Sequence, residues 1–126
     1  MDEKKQDKID HLYMRMAFIW SENSYAIRRK VGALIVKDNS IISDGYNGTP
    51  SGFPNVCEYA AEDKFQPNTR IPDHYQRSVL QRFYKQGHEI KTYPYVLHAE
   101  SNAIAKLAKS NNSSEGATLY VTDEPC

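Results

Sequence analysis

Apolar residues recur at intervals of three and four near the start of the chain. Between Lys8 and Glu22, this spacing is followed by Ile9, Leu12, Tyr13, Met16, Ile19 and Trp20. This spacing places them on one face of a cylinder with 3.6 residues per turn. The pattern therefore predicts an amphipathic helix over this segment.

The next pattern is a pair of β-branched runs, VGALIV and SIISDGY. They are separated by the turn-forming residues Lys37, Asp38 and Asn39. This order predicts an antiparallel hairpin from about Val31 to Tyr46. The following stretch, NGTPSGFPN, contains two glycines and two prolines, so we expect a constrained loop there.

The second half of the chain alternates helical and extended patterns. A helix after Pro72 is indicated by the spacing of Tyr75, Val79, Leu80, Phe83 and Tyr84. TYPYVL reads as a short extended run into His98, and a further helical face reaches Ser110. ATLYVT reads as a strand, and Pro125 is placed to open a new helix. The order of elements predicts an α/β layered domain.

Length and charge narrow the possible functions. The 126 residues are 40% apolar, enough to bury about two thirds of the unfolded surface around one core, so we expect one domain over residues 1–126. Sixteen basic residues balance sixteen acidic ones. This balance makes nucleic acid an improbable partner, because a phosphate-backbone binder usually carries a cationic field.

The sequence lacks the features of a membrane-bound or exported protein. Its apolar runs are far shorter than the roughly twenty residues that span a bilayer, and the N-terminus is charged without an apolar signal region. We therefore expect no membrane association and a cytoplasmic location. In that compartment Cys57 and Cys126 are expected to stay reduced.

Candidate chemistry begins at LHAESNAIAKLAKS, where an extended run changes into a helical pattern. In the middle of a helix, His98 and Glu100 would point in diverging directions. In the first turn of a helix, both side chains can reach the space beyond its end, which also receives unpaired amides and the positive end of the helix dipole. The junction is therefore a candidate site.

Cys126 has a similar setting, since it follows Pro125 at an inferred strand-to-helix junction, where a thiolate is stabilised. Imidazole nitrogen and cysteine sulfur are the usual ligands of zinc. Either motif alone, H-A-E or P-C, is short enough to occur often by chance. Together and in this order, they match the H-x-E…P-C-x-x-C signature of zinc-dependent nucleobase deaminases.

The second cysteine of that signature would fall at position 129, beyond the last residue of the sequence. We therefore expect the sequence to be truncated within the motif. The alternative is a two-ligand remnant that cannot hold zinc tightly.

Longer stretches resemble the deoxycytidylate (dCMP) deaminases, a family with the cytidine deaminase-like fold. They are RRKVGALIV, IISDGYNGTPSGFPNVCEYAA, HAESNAI and EGATLYVTDEPC, which cover most of the chain after Arg28. The resemblance implies a layered α-β-α domain around a central mixed sheet, of which this chain carries the first part. It also implies zinc-dependent hydrolysis of dCMP to dUMP and ammonia.

The resemblance assigns roles to eight residues. His98 and Cys126 correspond to zinc ligands, and Glu100 corresponds to the proton shuttle. The remaining candidates concern the substrate: the Ala99 amide for the pyrimidine carbonyl, Asn47 for the sugar, Arg28 and Lys30 for the 5′-phosphate, and Asn102 for shaping the site. Solvated surface is the alternative for the two basic residues, and an ordinary helix surface is the alternative for Asn102.

Other polar residues receive structural interpretations. Some family members hold a second, structural zinc near the position of Cys57, but this chain lacks the further cysteines. A buried, reduced thiol is therefore expected at Cys57. His11, His74 and His88 are expected to be surface or core histidines.

The resemblance further implies a homo-oligomer and control by dCTP and dTTP.

Two alternatives to a dCMP deaminase remain open. One is another zinc deaminase, acting on adenosine in tRNA or on a riboflavin precursor. The other is a non-catalytic nucleotide-binding module of the same fold.

Overall fold

A computed structural model describes residues 2–63 and 71–123 of the chain. Its helices and strands alternate along the sequence. In chain order they are α1 (Glu3–Ser21), β1 (Gly32–Lys37), β2 (Ser40–Tyr46), β3 (Glu58–Ala60), a 3-10 turn (Ala61–Asp63), α2 (Asp73–Lys85), β4 (Ile90–Thr92), α3 (Ala99–Ala108) and β5 (Thr118–Val121).

The described residues form two compact units. The first, here called the sheet unit, comprises residues 2–24, 31–47 and 98–123. The second, here called the aromatic unit, comprises residues 25–30, 48–63 and 71–97. The expectation of one domain over residues 1–126 stays a prediction.

The sheet unit is a three-layer α-β-α arrangement. Its three strands have the order β2-β1-β5, and both strand pairs are antiparallel. One face of β1 packs through Ala33 and Ile35 against α3, together with Val31 just before the strand. The opposite face packs through Leu34 and Val36 against α1. The central strand is therefore buried on both sides, as the layered α/β prediction requires.

Two glycines allow helices to approach the sheet at backbone distance. A Cβ atom on Gly32 would lie 2.8 Å from the amide nitrogen of Ser21 in α1. A Cβ atom on Gly45 would lie 2.6 Å from the amide nitrogen of Ala103 in α3. Real Cβ atoms do not come this close to backbone atoms, so any larger residue forces the helix away from the sheet.

The helix predicted from Lys8 to Glu22 is present, but α1 begins at Glu3, where the Asp2 carboxylate accepts the Lys5 amide at 2.8 Å. Its packed face also differs from the predicted one. Ala17 and Ser21 are buried, whereas Met16 and Ile19 are 43% and 63% exposed. The small residues make the contact because Gly32 brings the helix backbone close to the sheet.

The predicted hairpin is confirmed. β1 and β2 pair from Gly32↔Tyr46 to Lys37↔Ser40, with one register irregularity after Ile35. Asp38 and Asn39 form the turn with positive φ angles of 51° and 59°. Positive φ at both positions is typical of the tight hairpin turns that match the twist of the flanking strands.

The aromatic unit contains α2 and a two-stranded antiparallel sheet of β3 and β4. The predicted helix after Pro72 is confirmed, with Pro72 in the cap position. The β3–β4 sheet was not predicted, because strands of three residues carry too little periodicity. Of the predicted run TYPYVL, Thr92 ends β4 and the Tyr93 amide donates to the Cys57 carbonyl at 2.8 Å. The chain then turns, with the Tyr93 carbonyl accepting the Val96 amide at 3.1 Å, before Leu97 pairs with Gly48.

Four aromatic rings contact one another in the aromatic unit. Tyr93 and Tyr95 stack at 4.9 Å between ring centroids, and they also contact Tyr59 and Phe53 respectively. Such pairs contribute beyond the area that they bury.

Within the described part of the chain, every helix is too short or too polar to cross a lipid bilayer.

Candidate active site at the start of helix α3

Helix α3 begins where the sequence predicted it. His98 is the cap residue, with extended backbone angles of φ −74° and ψ 151°, and the first helical residue is Ala99. The His98 side chain does not cap the helix. Its carbonyl instead accepts the Asn102 amide at 3.0 Å, which closes the first turn. The exposed imidazole therefore lies at the N-terminal end of α3, where the backbone of the first turn fixes the position of His98.

Ala99 fixes this helix start to the sheet. It is 1% exposed and packs in the same cluster as Val31 and Ala33 of the sheet unit. Glu100 lies one residue further, half-buried in the first turn, where a carboxylate is favoured by the helix dipole. His98 and Glu100 therefore flank one buried anchor, as the first-turn prediction requires.

The two predicted asparagines lie at the same end of the sheet, where β1 begins and β2 ends. Asn102 of α3 donates through Nδ2 to the Tyr46 carbonyl at 2.8 Å. Asn47 accepts the Val31 amide through Oδ1 at 2.9 Å, and its own amide donates to the Val31 carbonyl at 3.2 Å. Its carbonyl accepts the Ser24 hydroxyl at 2.8 Å. These bonds bring Asn47, Asn102 and the start of α3 to one end of the sheet, here called the site end.

β5 also ends at the site end. The Thr122 amide donates to the Gly32 carbonyl at 3.1 Å, and the Gly32 amide donates to Thr122 Oγ1 at 3.1 Å. The described part of the sheet unit stops one residue later, at Asp123. Cys126 lies outside the described residues, so its meeting with His98 stays a prediction.

The described residues supply few metal donors close together. Among residues 2–63 and 71–123, no group of three His, Cys, Asp or Glu side chains could hold a metal ion. His98 is the one predicted metal ligand within those ranges. Its imidazole nitrogen, together with a cysteine sulfur, fits the donor chemistry that zinc prefers.

The predicted phosphate-binding residues belong to the aromatic unit. Arg28 and Lys30 are exposed on the irregular segment 25–30. The Arg28 amide donates to Glu58 Oε2 at 2.9 Å, and the Ile27 amide donates to the same oxygen at 2.8 Å. Sequence reasoning missed Glu58, and its only signal was a charged residue inside the run VCEYAA.

Cys57 is confirmed as a buried free thiol, 1% exposed. Burial, with the neighbouring Glu58 carboxylate, raises the pKa of the thiol to about 11, although the Arg77 guanidinium opposes the shift. His11, His74 and His88 are exposed, as expected of surface histidines.

Comparison with protein families gives one match that covers nearly the whole chain. Residues 7–126 match the family described as "Cytidine and deoxycytidylate deaminase zinc-binding region". The chain belongs to this deaminase family.

Individual members of the deaminase family agree with this assignment. The deoxycytidylate deaminase of Enterobacteria phage T4 is 38% identical over 126 residues, which cover 90% of this chain and 65% of the relative. The human deoxycytidylate deaminase is 30% identical, with coverage of 98% and 58% respectively. The chain thus spans about two thirds or less of the length of these deaminases.

A solved deaminase supports the fold. The structure of dCMP deaminase from cyanophage S-TIM5, in complex with dCMP and dUMP, aligns with a TM-score of 0.65 and 35% identity. The alignment covers 100% of this chain and 70% of that protein. The cytidine deaminase-like fold predicted from the sequence is therefore confirmed.

Proposed function

We propose that this deaminase family member catalyses the hydrolysis of dCMP to dUMP and ammonia. The observation that carries the proposal is the start of α3, where a buried alanine separates the half-buried Glu100 from an exposed histidine in the cap position. The neighbouring phage relatives are named for this reaction, and the cyanophage structure contains both dCMP and dUMP.

Zinc is the cofactor of the proposal, in line with the zinc-binding family that the chain matches. His98 and Cys126 would hold it, because their nitrogen and sulfur donors suit this metal. Zinc, when bound, supplies the Lewis acidity that lets water ionise near neutral pH.

Glu100 is the proposed proton carrier. Its carboxylate would accept a proton from the attacking water and deliver it to the pyrimidine ring. The water oxygen bonds to C4, the bond between C4 and the amino nitrogen breaks, and ammonia leaves. The position of Glu100 in the first turn supports this role, because the residue lies two positions after His98, the cap residue of the same helix.

The substrate contacts proposed for this site follow from the hydrogen bonds already made there. The Ala99 amide is in the first turn of α3, where amides have no partner within the helix, and it would donate to the pyrimidine carbonyl. Asn47, which is fixed at the site end by the bond from the Val31 amide to Oδ1, would contact the sugar. Asn102 would shape the site by tying α3 to Tyr46.

Arg28 and Lys30 are the proposed partners of the 5′-phosphate. Both are exposed, and a guanidinium can bind a phosphate through two parallel hydrogen bonds.

The homo-oligomer, control by dCTP and dTTP and the cytoplasmic location stay predictions of the sequence.

The proposal is tested by replacing Glu100 with glutamine. Ammonia release from dCMP should fall by roughly 10²- to 10⁴-fold, the usual contribution of general acid–base catalysis, while zinc content stays unchanged. Glu115→Gln, an exposed acid in the loop before β5, is the matched control and should keep wild-type activity. Undiminished turnover by the Glu100 variant would remove this residue from its role.

Substrate choice is tested by incubating the wild-type protein with dCMP, cytidine and a tRNA anticodon stem. Preferential ammonia release from dCMP is expected. Preferential release from the tRNA stem would favour the adenosine deaminases instead. Binding of dCMP without zinc and without release from any substrate would favour the non-catalytic module.

A further inference from the structure

The segment 25–30 concentrates positive charge in a chain that is neutral overall. Arg28, Arg29 and Lys30 are consecutive and exposed, whereas the formal net charge of the chain is zero. The segment lies between α1 and β1 and forms neither helix nor strand. An irregular backbone must therefore be held by other groups if its side chains are to bind a ligand in one geometry.

Glu58 supplies that support. Oxygen Oε2 accepts the amides of two consecutive residues, Ile27 at 2.8 Å and Arg28 at 2.9 Å. Glu58 itself is 2% exposed at the first position of β3, where it pairs with Thr92 of β4. A buried residue of a paired strand thus binds the segment through two hydrogen bonds to one carboxylate oxygen, which are stronger when the carboxylate is ionised than bonds between neutral groups.

The buried carboxylate has little other structural purpose. Its second oxygen, Oε1, has no hydrogen-bond partner among residues 2–63 and 71–123. Burial raises the pKa of Glu58, which means that the ionised form is disfavoured by its surroundings; the two amides and the charge of Arg28 act in the opposite direction. An apolar residue would fill this position at lower cost, so the bonds to Ile27 and Arg28 are what distinguish glutamate here.

We infer that Glu58 is a positioning residue for phosphate recognition: by holding the amides of Ile27 and Arg28, it fixes the backbone that carries Arg28 and so sets the preference for a pyrimidine nucleotide over its nucleoside. The inference rests on the proposed function, because it takes Arg28 as a ligand of the 5′-phosphate. Glu58 acts through Arg28 and does not contact the nucleotide itself.

The test compares the affinities of dCMP and deoxycytidine, which differ only in the phosphate, by titration calorimetry. Glu58→Met removes the acceptor and fills a similar volume, so the preference for dCMP should fall about tenfold, the worth of one charge-assisted contact. Glu58→Gln keeps an acceptor oxygen and should retain the preference within about threefold. Glu58→Asp withdraws the carboxylate by one methylene and should also lower the preference, which keeps the test available if the methionine variant does not fold.

A double-mutant cycle separates positioning from general stability. In an Arg28→Ala background, Glu58→Met should change the preference by less than about twofold, because the group through which it acts is already absent. Glu62→Met removes the same charge from an exposed site in the same unit and should leave the preference unchanged. Equal loss of affinity for both ligands, or additive effects in the cycle, would overturn the inference.

Binding is measured in a Glu100→Gln background, in which turnover is suppressed, so the two proposals fail separately. Preference for dCMP in binding, with no ammonia release by the wild-type chain, contradicts the proposed reaction alone. Equal affinity of the Glu100→Gln chain for dCMP and deoxycytidine overturns the role of Glu58 and the phosphate contact.

Discussion

The two units of this chain are stabilised by different means. The sheet unit is held by small residues, since alanines and glycines let α1 and α3 approach the strands at backbone distance. The aromatic unit is held by stacked rings and by side chains that bind backbone groups, such as Asp73 with the Asn55 amide and Arg77 with the Asn55 carbonyl. Its interior contains a carboxylate and a thiol, Glu58 and Cys57.

This contrast separates two tasks. Close backbone packing fixes the angle and depth of a helix, which suits the placement of His98 and Glu100 at the first turn of α3. Side-chain bonds to an irregular backbone can instead fix a loop that has no regular structure of its own, as Glu58 does for segment 25–30. Each unit is therefore expected to depend on its own means of support.

The largest expected effect is that of Gly45→Ala in the sheet unit. The new Cβ would lie 2.6 Å from the Ala103 nitrogen, so α3 must move, and we expect a loss of about 3 kcal/mol in the free energy of unfolding. Gly52→Ala in the aromatic unit is the control. Gly52 has open space but a φ of 88°, which costs a residue with a side chain about 1 kcal/mol. Urea unfolding measures both, and equal losses would contradict the difference in packing.

The next effect concerns the thiol of Cys57. Its pKa of about 11, against an ordinary 9.0, leaves about a hundredfold less thiolate at pH 8. Alkylation by iodoacetamide, followed by peptide mapping of Cys57, should therefore be at least that much slower in the folded protein than in urea. The rate should rise with pH towards about 11. Rapid alkylation of the folded protein at pH 8 would show that this interior is open to water.

A smaller effect is expected for Asn102→Ala. The variant loses the 2.8 Å bond from Nδ2 to the Tyr46 carbonyl, and about 1 kcal/mol of stability should go with it. Asn111→Ala, an exposed residue in the loop after α3, should change stability by less than about 0.5 kcal/mol. Equal stabilities of the two variants in thermal unfolding would mean that Asn102 does not anchor α3.

The smallest effect is expected for the ion pair between Lys106 and Asp44. The 2.7 Å pair also joins α3 to β2, but the lysine side chain is 61% exposed. Lys106→Ala should therefore cost less than about 0.5 kcal/mol, and added salt should remove even that difference. A larger cost would show that surface charge, and not backbone packing, holds α3 to the sheet.

Periodicity predicted the elements that are long enough to carry it. The hairpin, α2, the start of α3 and the strand β5 follow from local spacing, turn residues and capping positions. The packed face of α1 was only partly right: Tyr13 packs against the sheet as predicted, but the close approach at Gly32 favours Ala17 and Ser21 over Met16 and Ile19. β3 and β4 were missed because each contains only three residues.

The same limit applies to the candidate site. His98 and Glu100 could be found because their arrangement is local, within two residues of a helix start. Glu58 could not be found, since its partners are about thirty positions away along the chain. The residues next to Glu58 in the sequence give no sign of these partners. The hydrogen bonds that gather Asn47 and Asn102 at the site end likewise join separate elements.

The burial of β1 on both faces has a consequence for how this chain tolerates change. Every position from Val31 to Val36 is buried against a helix or a neighbouring strand. A single substitution at any of these positions is therefore expected to disturb the packing. On β2, by contrast, exposed and buried positions interleave. During evolution, substitutions should therefore accumulate in β2, whereas a substitution in β1 should require compensating substitutions in α1 and α3.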